Sequence, residues 1–204
     1  MPRSRTFSTI AALSWPILHG PFRLKVRGLE HVPATSGCVI ACNHVSSFDP
    51  WPLALPLWPR RKVRFMAKSE LYWFPMSWIA DSAGAFPVRR GQHDTVAIET
   101  AVGLARAGEA IAMFPEGTRR SKGLAKKYEA RPRTGAARIA LEAGVPLVPA
   151  AVKGTDQLSR FGPLSVAYGP PVELDDLRGQ DVGEAAQEAT TRLMARIAEL
   201  EASL

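Results

Sequence analysis

The sequence predicts an α/β fold: a single layered domain with a mainly parallel sheet flanked by helices, a short N-terminal amphipathic helix and a C-terminal helix. Three observations carry this expectation. Short, continuously apolar runs such as Gly37–Cys42 and Ala110–Phe114 read as strands buried on both faces. Between them lie segments with apolar residues at helical spacing, so that strands and helices alternate. The length of 204 residues, with 46% hydrophobic and 22% charged residues, is enough for one real core and excludes disorder and collagen-like repeats.

In chain order, Thr6–Leu18 reads as an amphipathic helix ended by a turn at Gly20 and Pro21. Phe22–Arg27 alternates apolar and basic residues, the pattern of a strand with one wet face. The buried strand Gly37–Cys42 follows, then the polar segment Asn43–Asp49, a proline-punctuated helix and a strand at Val63–Ala67. Ser69 can cap a helix running to about Ala80, and Ala85–Val88 is a short strand. A helix opening at Asp94 or Thr95 turns Val96, Ile98, Val102 and Leu104 inward and closes at Gly108. After the strand Ala110–Phe114, residues Pro115–Arg133 form a long basic loop. Thr134–Ala143 is a helix closed by Gly144, Pro146–Val152 and Leu164–Tyr168 are strands, and a last helix begins near Glu184.

No apolar stretch reaches the roughly 18–20 residues of a membrane-spanning helix. Arg3 and Arg5 before Ile10–Leu18 resemble a signal-peptide start, but no small-residue cleavage site follows, so secretion is not expected. Cys38 and Cys42 fit a reducing compartment, and a metal site needs more ligands than they provide. Charge is asymmetric. Residues 1–153 hold 22 basic against 10 acidic side chains, a net of +12, whereas residues 154–204 carry −5. A basic body points to an anionic partner, be it phosphorylated ligand, lipid headgroups or nucleic acid. All five tryptophans fall in the first 78 residues, interleaved with Arg60, Arg61, Lys62, Arg64 and Lys68, a composition suited to a membrane interface and equally to an aromatic core.

In parallel sheets ligands bind beyond the carboxyl ends of the strands. Two polar segments stand there: Asn43–Asp49 after one buried strand, and Pro115–Arg119 after another. His44 and Asp49 would lie about 140° apart on a continuous helix, so they meet only if the chain bends between them. Ser46 or Ser47 can supply the bend by capping a helix that starts at Phe48, with Asp49 in its first turn. Asp49 then accepts from one imidazole nitrogen and leaves the other to take a proton, the base-and-orienter part of a triad without its nucleophile. Taken alone, such a pair is also what an ordinary polar turn contains. In the second segment Glu116 is followed by a glycine, Gly117, that lets backbone N–H groups face a ligand, and by Arg119, whose fork matches phosphate oxygens.

The order of four blocks decides. Asn43, His44 and Asp49, then Gly84–Arg90, then Phe114–Arg119, then Val145–Pro149 resemble the blocks of the glycerolipid acyltransferases, most closely the bacterial 1-acylglycerol-3-phosphate acyltransferases. The resemblance frames about residues 39–152. It implies acyl transfer from acyl-CoA or acyl-carrier protein to the free hydroxyl of a lysophospholipid phosphate, with no bound cofactor or metal. It further implies His44 as catalytic base, Asp49 as its orienting partner, and Arg90, Glu116, Gly117, Thr118 and Arg119 at the acceptor and its phosphate. Pro87 stands where the family often has phenylalanine and Arg89 where it often has an acidic residue. Either Arg89 or Arg90 can therefore meet the phosphate, and spacing favours Arg90.

Backbone N–H groups near Phe48 are candidate oxyanion donors. A covalent route through Ser46, Ser47 or Cys42 is the mechanistic rival, and no Gly-x-Ser-x-Gly elbow is present. The alternatives are another acceptor, such as a lyso-aminolipid or glycerol phosphate, or a non-catalytic binder of anionic membranes or nucleic acid. The chain carries no nucleic-acid fold signature, so no nucleic-acid partner is expected. Residues 1–20 are expected to form a membrane-interfacial helix and 21–204 the acyltransferase domain, placing the protein peripherally on the cytoplasmic face of the cell membrane. Phe7, Ile10, Leu13, Ile17 and Leu18 form the helix's apolar stripe, with Trp15 at headgroup depth and Arg3, Arg5 and Arg60–Arg64 adding attraction to anionic lipid. The competing possibility is that this helix packs on its own domain.

Overall fold

The computed structural model describes residues 5–68, 84–88, 95–117 and 132–204. Its elements in chain order are α1 (Arg5–His19), β1 (Lys25–Arg27), β2 (Cys38–Cys42), α2 (Pro50–Ala54), β3 (Val63–Lys68), β4 (Ala85–Val88), α3 (Thr95–Arg106), β5 (Ala110–Met113), α4 (Gly135–Ala143), β6 (Leu147–Lys153), β7 (Ser165–Tyr168) and α5 (Val182–Ala202). The seven strands form one sheet in the order β1-β7-β6-β2-β5-β3-β4, parallel except for β6 against β7. The α/β expectation holds. The helix expected from Ser69 falls outside the described residues.

Alternation along the strands builds two cores. Cys38, Ile40 and Cys42 of β2 face one way with Ala110, Ala112, Val148, Ala150 and Val152, beneath Leu18 of α1 and Leu53 of α2. Val39, Ala41 and Ile111 face the other way, beneath α3, α4 and α5. The second face is covered largely by small side chains: Ala97, Ala101 and Ala105 of α3, Ala136, Ala137 and Ala140 of α4, and Ala185, Ala186 and Ala189 of α5 are all buried. Their size lets helices approach the sheet closely. This also shifts the α3 face from the one expected: Val102 is buried, whereas Val96 is 70% exposed because the alanine row takes the inward position.

Three further expectations are adjusted. The strand expected from Phe22 begins only at Lys25, because Arg23 takes a left-handed turn (φ 45). The reversal from β6 to β7 uses a 3-10 segment, Thr155–Arg160, flanked by Gly154 (φ 92) and Phe161 (φ 49), and makes β7 antiparallel. The last helix starts two residues early, since Asp181 accepts from the N–H groups of Gly183 and Glu184 at 2.9 and 3.1 Å.

β2 and β5 are neighbours, yet the chain leaves β2 toward β3 and leaves β5 toward β6, on opposite sides. Their carboxyl ends therefore open a crevice at the topological switch point, the usual ligand position in this architecture.

Candidate active site

Asn43–Asp49 and the described part of the second segment, Pro115–Gly117, stand at that crevice. β2, buried throughout, runs straight into Asn43, which is fully buried as well. Its side chain behaves as an extra peptide group. Asn43 Nδ2 donates to the Val152 carbonyl at 3.0 Å, and the Val152 N–H donates to Asn43 Oδ1 at 2.8 Å. The β2–β6 ladder is thus continued one residue beyond its backbone register of Cys42 with Ala150.

Beyond Asn43 the chain turns back on itself, and His44 and Asp49 meet. His44 Nδ1 lies 2.7 Å from Asp49 Oδ2, with the imidazole 18% exposed and the carboxylate completely buried. The same Oδ2 accepts from the N–H groups of Val45 (2.7 Å) and Ser46 (2.9 Å), and Thr155 Oγ1 donates to Oδ1 at 2.5 Å. A carboxylate facing Nδ1 accepts, so Nδ1 carries the hydrogen and the lone pair is at Nε2. The ring stacks on Phe114, the first residue after β5, at 4.2 Å and 20°. This contact joins the two strand ends.

The bend is built differently from the one expected. Neither serine caps a helix at Phe48. Instead α2 begins at Pro50, whose fixed φ suits the first helical position, and Asp49 precedes it. The Asp49 side chain reaches backward and gathers the N–H groups of the turn. Those groups were the candidate oxyanion donors. Val45 and Ser46 N–H serve Asp49, Asp49 N–H donates to the Ser46 carbonyl at 3.3 Å, and Phe48 N–H points to Ser46 Oγ at 3.4 Å. They hold the turn rather than a substrate.

In the second segment Glu116 is 5% exposed. Gly117 has φ 68, and a Cβ there would sit 2.6 Å from Nε of Arg133. The Gly117 N–H closes the turn onto the Phe114 carbonyl at 3.0 Å, so it does not face a ligand as expected. What the missing side chain allows is the close approach of the Arg133 guanidinium, and the Arg133 N–H is itself held by the Pro115 carbonyl at 2.8 Å. Arg90, Thr118 and Arg119 lie outside the described residues, as does Arg89.

Several other candidates are placed away from chemistry. Cys42 is buried and its thiol points to Asn43 Oδ1 at 3.3 Å, out of reach of a substrate carbonyl. Burial pushes the Cys38 thiol up to about 11, against the opposing pull of Arg61. Arg61 is not part of a lipid-facing cluster. It is 8% exposed and donates to the carbonyls of Ser36 and Gly108, tying the loops that enter β2 and β5 at the other end of the sheet. Sequence reasoning gave no role to Asn43 or Thr155. The signal for Asn43 was a polar residue closing a fully apolar strand, since a buried amide must be paired. For Thr155 no local signal exists.

Fold and site together define an α/β-layered domain with a histidine–aspartate pair at its switch point. The acyltransferase family profile matches residues 23–153, from just before β1 to the end of β6, and includes His44 and Asp49. The 1-acyl-sn-glycerol-3-phosphate acyltransferase of Bacillus subtilis is 35% identical over 187 residues, covering 89% of each chain. The 1-acyl-sn-glycerol-3-phosphate acyltransferase alpha of Mus musculus is 30% identical, over 88% of this chain and 67% of that one. The crystal structure of the 1-acyl-sn-glycerophosphate acyltransferase PlsC from Thermotoga maritima superposes with a TM-score of 0.66 over 95% of this chain and 78% of that one, at 23% identity, and shares the fold. The protein belongs to the acyltransferase family.

Proposed function

We propose that the protein transfers a fatty acyl group from an acyl thioester, acyl-CoA or acyl-carrier protein, to the free hydroxyl of 1-acylglycerol-3-phosphate, giving phosphatidic acid for phospholipid synthesis. The observation that carries this reading is the His44–Asp49 pair, oriented at the switch point and supplied with no nucleophile of its own by Cys42. In this reading the nucleophile is the substrate's hydroxyl. Relatives spanning nearly the whole chain bear the name of this activity.

His44 Nε2 takes the hydroxyl proton as the oxygen attacks the thioester carbonyl. The tetrahedral adduct collapses, the C–S bond breaks, and the imidazolium returns its proton to the departing thiolate. Asp49 stabilises the imidazolium between these events. The N–H groups of Val45, Ser46, Phe48 and Asp49 are engaged within the turn and do not serve the developing oxyanion.

Arg90, Glu116, Thr118 and Arg119 are assigned to the acceptor and its phosphate, and Gly117 to the turn that admits Arg133. Arg133 adds a cation beside Gly117. Holding the phosphate fixes the hydroxyl against the carbonyl, a gain in orientation. Arg119→Ala is expected to raise the acceptor KM at least about tenfold, as loss of a charge-assisted phosphate contact does, while sparing donor binding. Lysine should rescue only part of this, because it lacks the fork. A variant that loses acyl-donor affinity alone would reassign the arginine. The decisive assay for the reading as a whole is purified enzyme with acyl-CoA and acyl-carrier-protein donors against lysophosphatidate, a lyso-aminolipid and glycerol phosphate, with products identified by mass spectrometry. Phosphatidate as the main product is the expected result, and a different preferred acceptor would replace the assignment.

The protein is assigned to a membrane surface through α1. No helix among the described residues is long and apolar enough to cross a bilayer. The α1 stripe divides into two faces. Ala11 and Leu18 are buried in the domain core, whereas Ile10 (43%), Leu13 (66%) and Ile17 (45%) stay exposed along one side with Trp15 nearby. An apolar strip of this kind suits the headgroup boundary. A cleft of about 300 Å³ lined by Ala12, Trp15, Trp58 and Pro59 opens beside it. Because Leu18 belongs to the core, removing the helix would damage the fold, so point substitutions test the assignment. The parent protein should float with anionic vesicles, and the combined change of Ile10, Leu13 and Ile17 to serine should leave it in the soluble fraction with its melting temperature kept. Equal flotation of the two would return this face to an ordinary surface.

A further inference from the structure

We propose that Thr155 is a positioning residue for acyl transfer, holding the plane of the Asp49 carboxylate and through it the His44 imidazole; the inference rests on His44 acting as the base. Thr155 is 2% exposed and its hydroxyl donates to Asp49 Oδ1 at 2.5 Å. The donors at Oδ2 all come from the turn His44–Ser46 itself. Three bonds to one oxygen fix that oxygen and leave the carboxylate free to pivot about it. A donor at the second oxygen, from a different part of the chain, stops the pivot.

The sequence spends unusual backbone to bring the hydroxyl there. Gly154, just before it, has φ 92, and a Cβ at that position would lie 2.3 Å from the Pro163 carbonyl oxygen. Thr155 then opens the 3-10 segment that reverses the chain after β6. The β-branch limits its χ1, so the hydroxyl is aimed with little rotamer freedom to lose. Three residues earlier, Val152 exchanges two hydrogen bonds with the Asn43 side chain. His44 is thus bracketed. Asn43 before it and Asp49 after it are both tied to the end of β6, an element more than a hundred residues away in the chain.

A purely structural threonine would affect stability alone, so the test separates turnover from binding and from folding. Thr155→Val keeps the shape and loses the donor, whereas Thr155→Ser keeps the donor. With purified full-length variants, acyl-CoA and 1-acylglycerol-3-phosphate, Thr155→Val is expected to lose about 10- to 100-fold in kcat, the range for a hydrogen bond to a charged group. The KM of each substrate should stay within about twofold, since no binding contact is touched. Thr155→Ser should turn over within about threefold of the parent. A valine variant with full kcat, a loss confined to KM, or a serine variant as impaired as the valine one overturns the proposal. Should the valine variant fail to fold, the serine variant decides, because an active serine protein is required and an inactive one is contrary. His44→Ala is measured alongside. If it keeps turnover, the base assignment falls and this inference with it; an inactive His44→Ala beside a fully active Thr155→Val overturns the inference alone.

Discussion

Replacing His44 with alanine should lower kcat by about 10²–10⁴-fold, the usual contribution of a positioned general base, and leave the protein folded. Both halves of the expectation follow from the turn. The imidazole is the group from which Asp49 takes one of its four hydrogen bonds, and it is partly open to the crevice. Once it is gone, the carboxylate still accepts from Val45, Ser46 and Thr155, so no buried charge is orphaned. What packing is lost is mainly the stack on Phe114, a contact on the order of 1 kcal/mol. Product formation by mass spectrometry and a thermal melt check the two halves. Turnover within tenfold of the parent would remove His44 from the chemistry. A collapsed melt would instead show that the histidine holds the two strand ends together.

How much of this was legible depends on how far apart in the chain the partners lie. β2, β5 and β6 announce themselves as short apolar runs, and the strand after each is bounded by recognisable turn residues. Spacing made the His44–Asp49 meeting conditional, because five residues bring the two together only through a bend, and a bend was expected. Its agent was not. A serine cap is the usual local device, but here the aspartate collects the turn's own N–H groups and Pro50 starts the helix. The contacts of Asn43 with Val152 and of Thr155 with Asp49 span 109 and 106 residues. They exist because β6 lies beside β2, a fact of topology that no window along the sequence contains. Arg61 teaches the same lesson from the other side. It stands among three other basic residues between positions 60 and 64, and only the loops entering β2 and β5 show that it is buried between two carbonyls. Leu18 likewise looks like the end of an exposed stripe until α1 is laid on the sheet.

Asp49→Asn should be severe as well, for a reason the structure changes. From the sequence, an amide in this place can favour the wrong imidazole tautomer. The donors around the side chain point elsewhere. Three of them converge on Oδ2, so the asparagine carbonyl oxygen takes that position and still accepts from His44, Val45 and Ser46. Its NH₂ then faces Thr155, whose hydroxyl can turn and accept instead of donate. The tautomer and the turn are preserved, and what disappears is the negative charge that stabilises the imidazolium. A loss of about 10²–10⁴-fold in kcat is therefore expected, with the melting temperature lowered only slightly. Asp49→Ala should differ sharply in stability. It strips the acceptor from the Val45 and Ser46 N–H groups, and each buried donor left alone costs about 1–3 kcal/mol. The Thr155 hydroxyl provides the check on this account. Thr155→Val takes a donor from a buried carboxylate in the parent but only an acceptor from a neutral NH₂ in the Asp49→Asn background, so the double variant should be more stable than the sum of the single changes implies, a coupling read from a double-mutant cycle of melting curves. Additive stabilities would mean that the Thr155 hydroxyl is not bonded to the charge of Asp49.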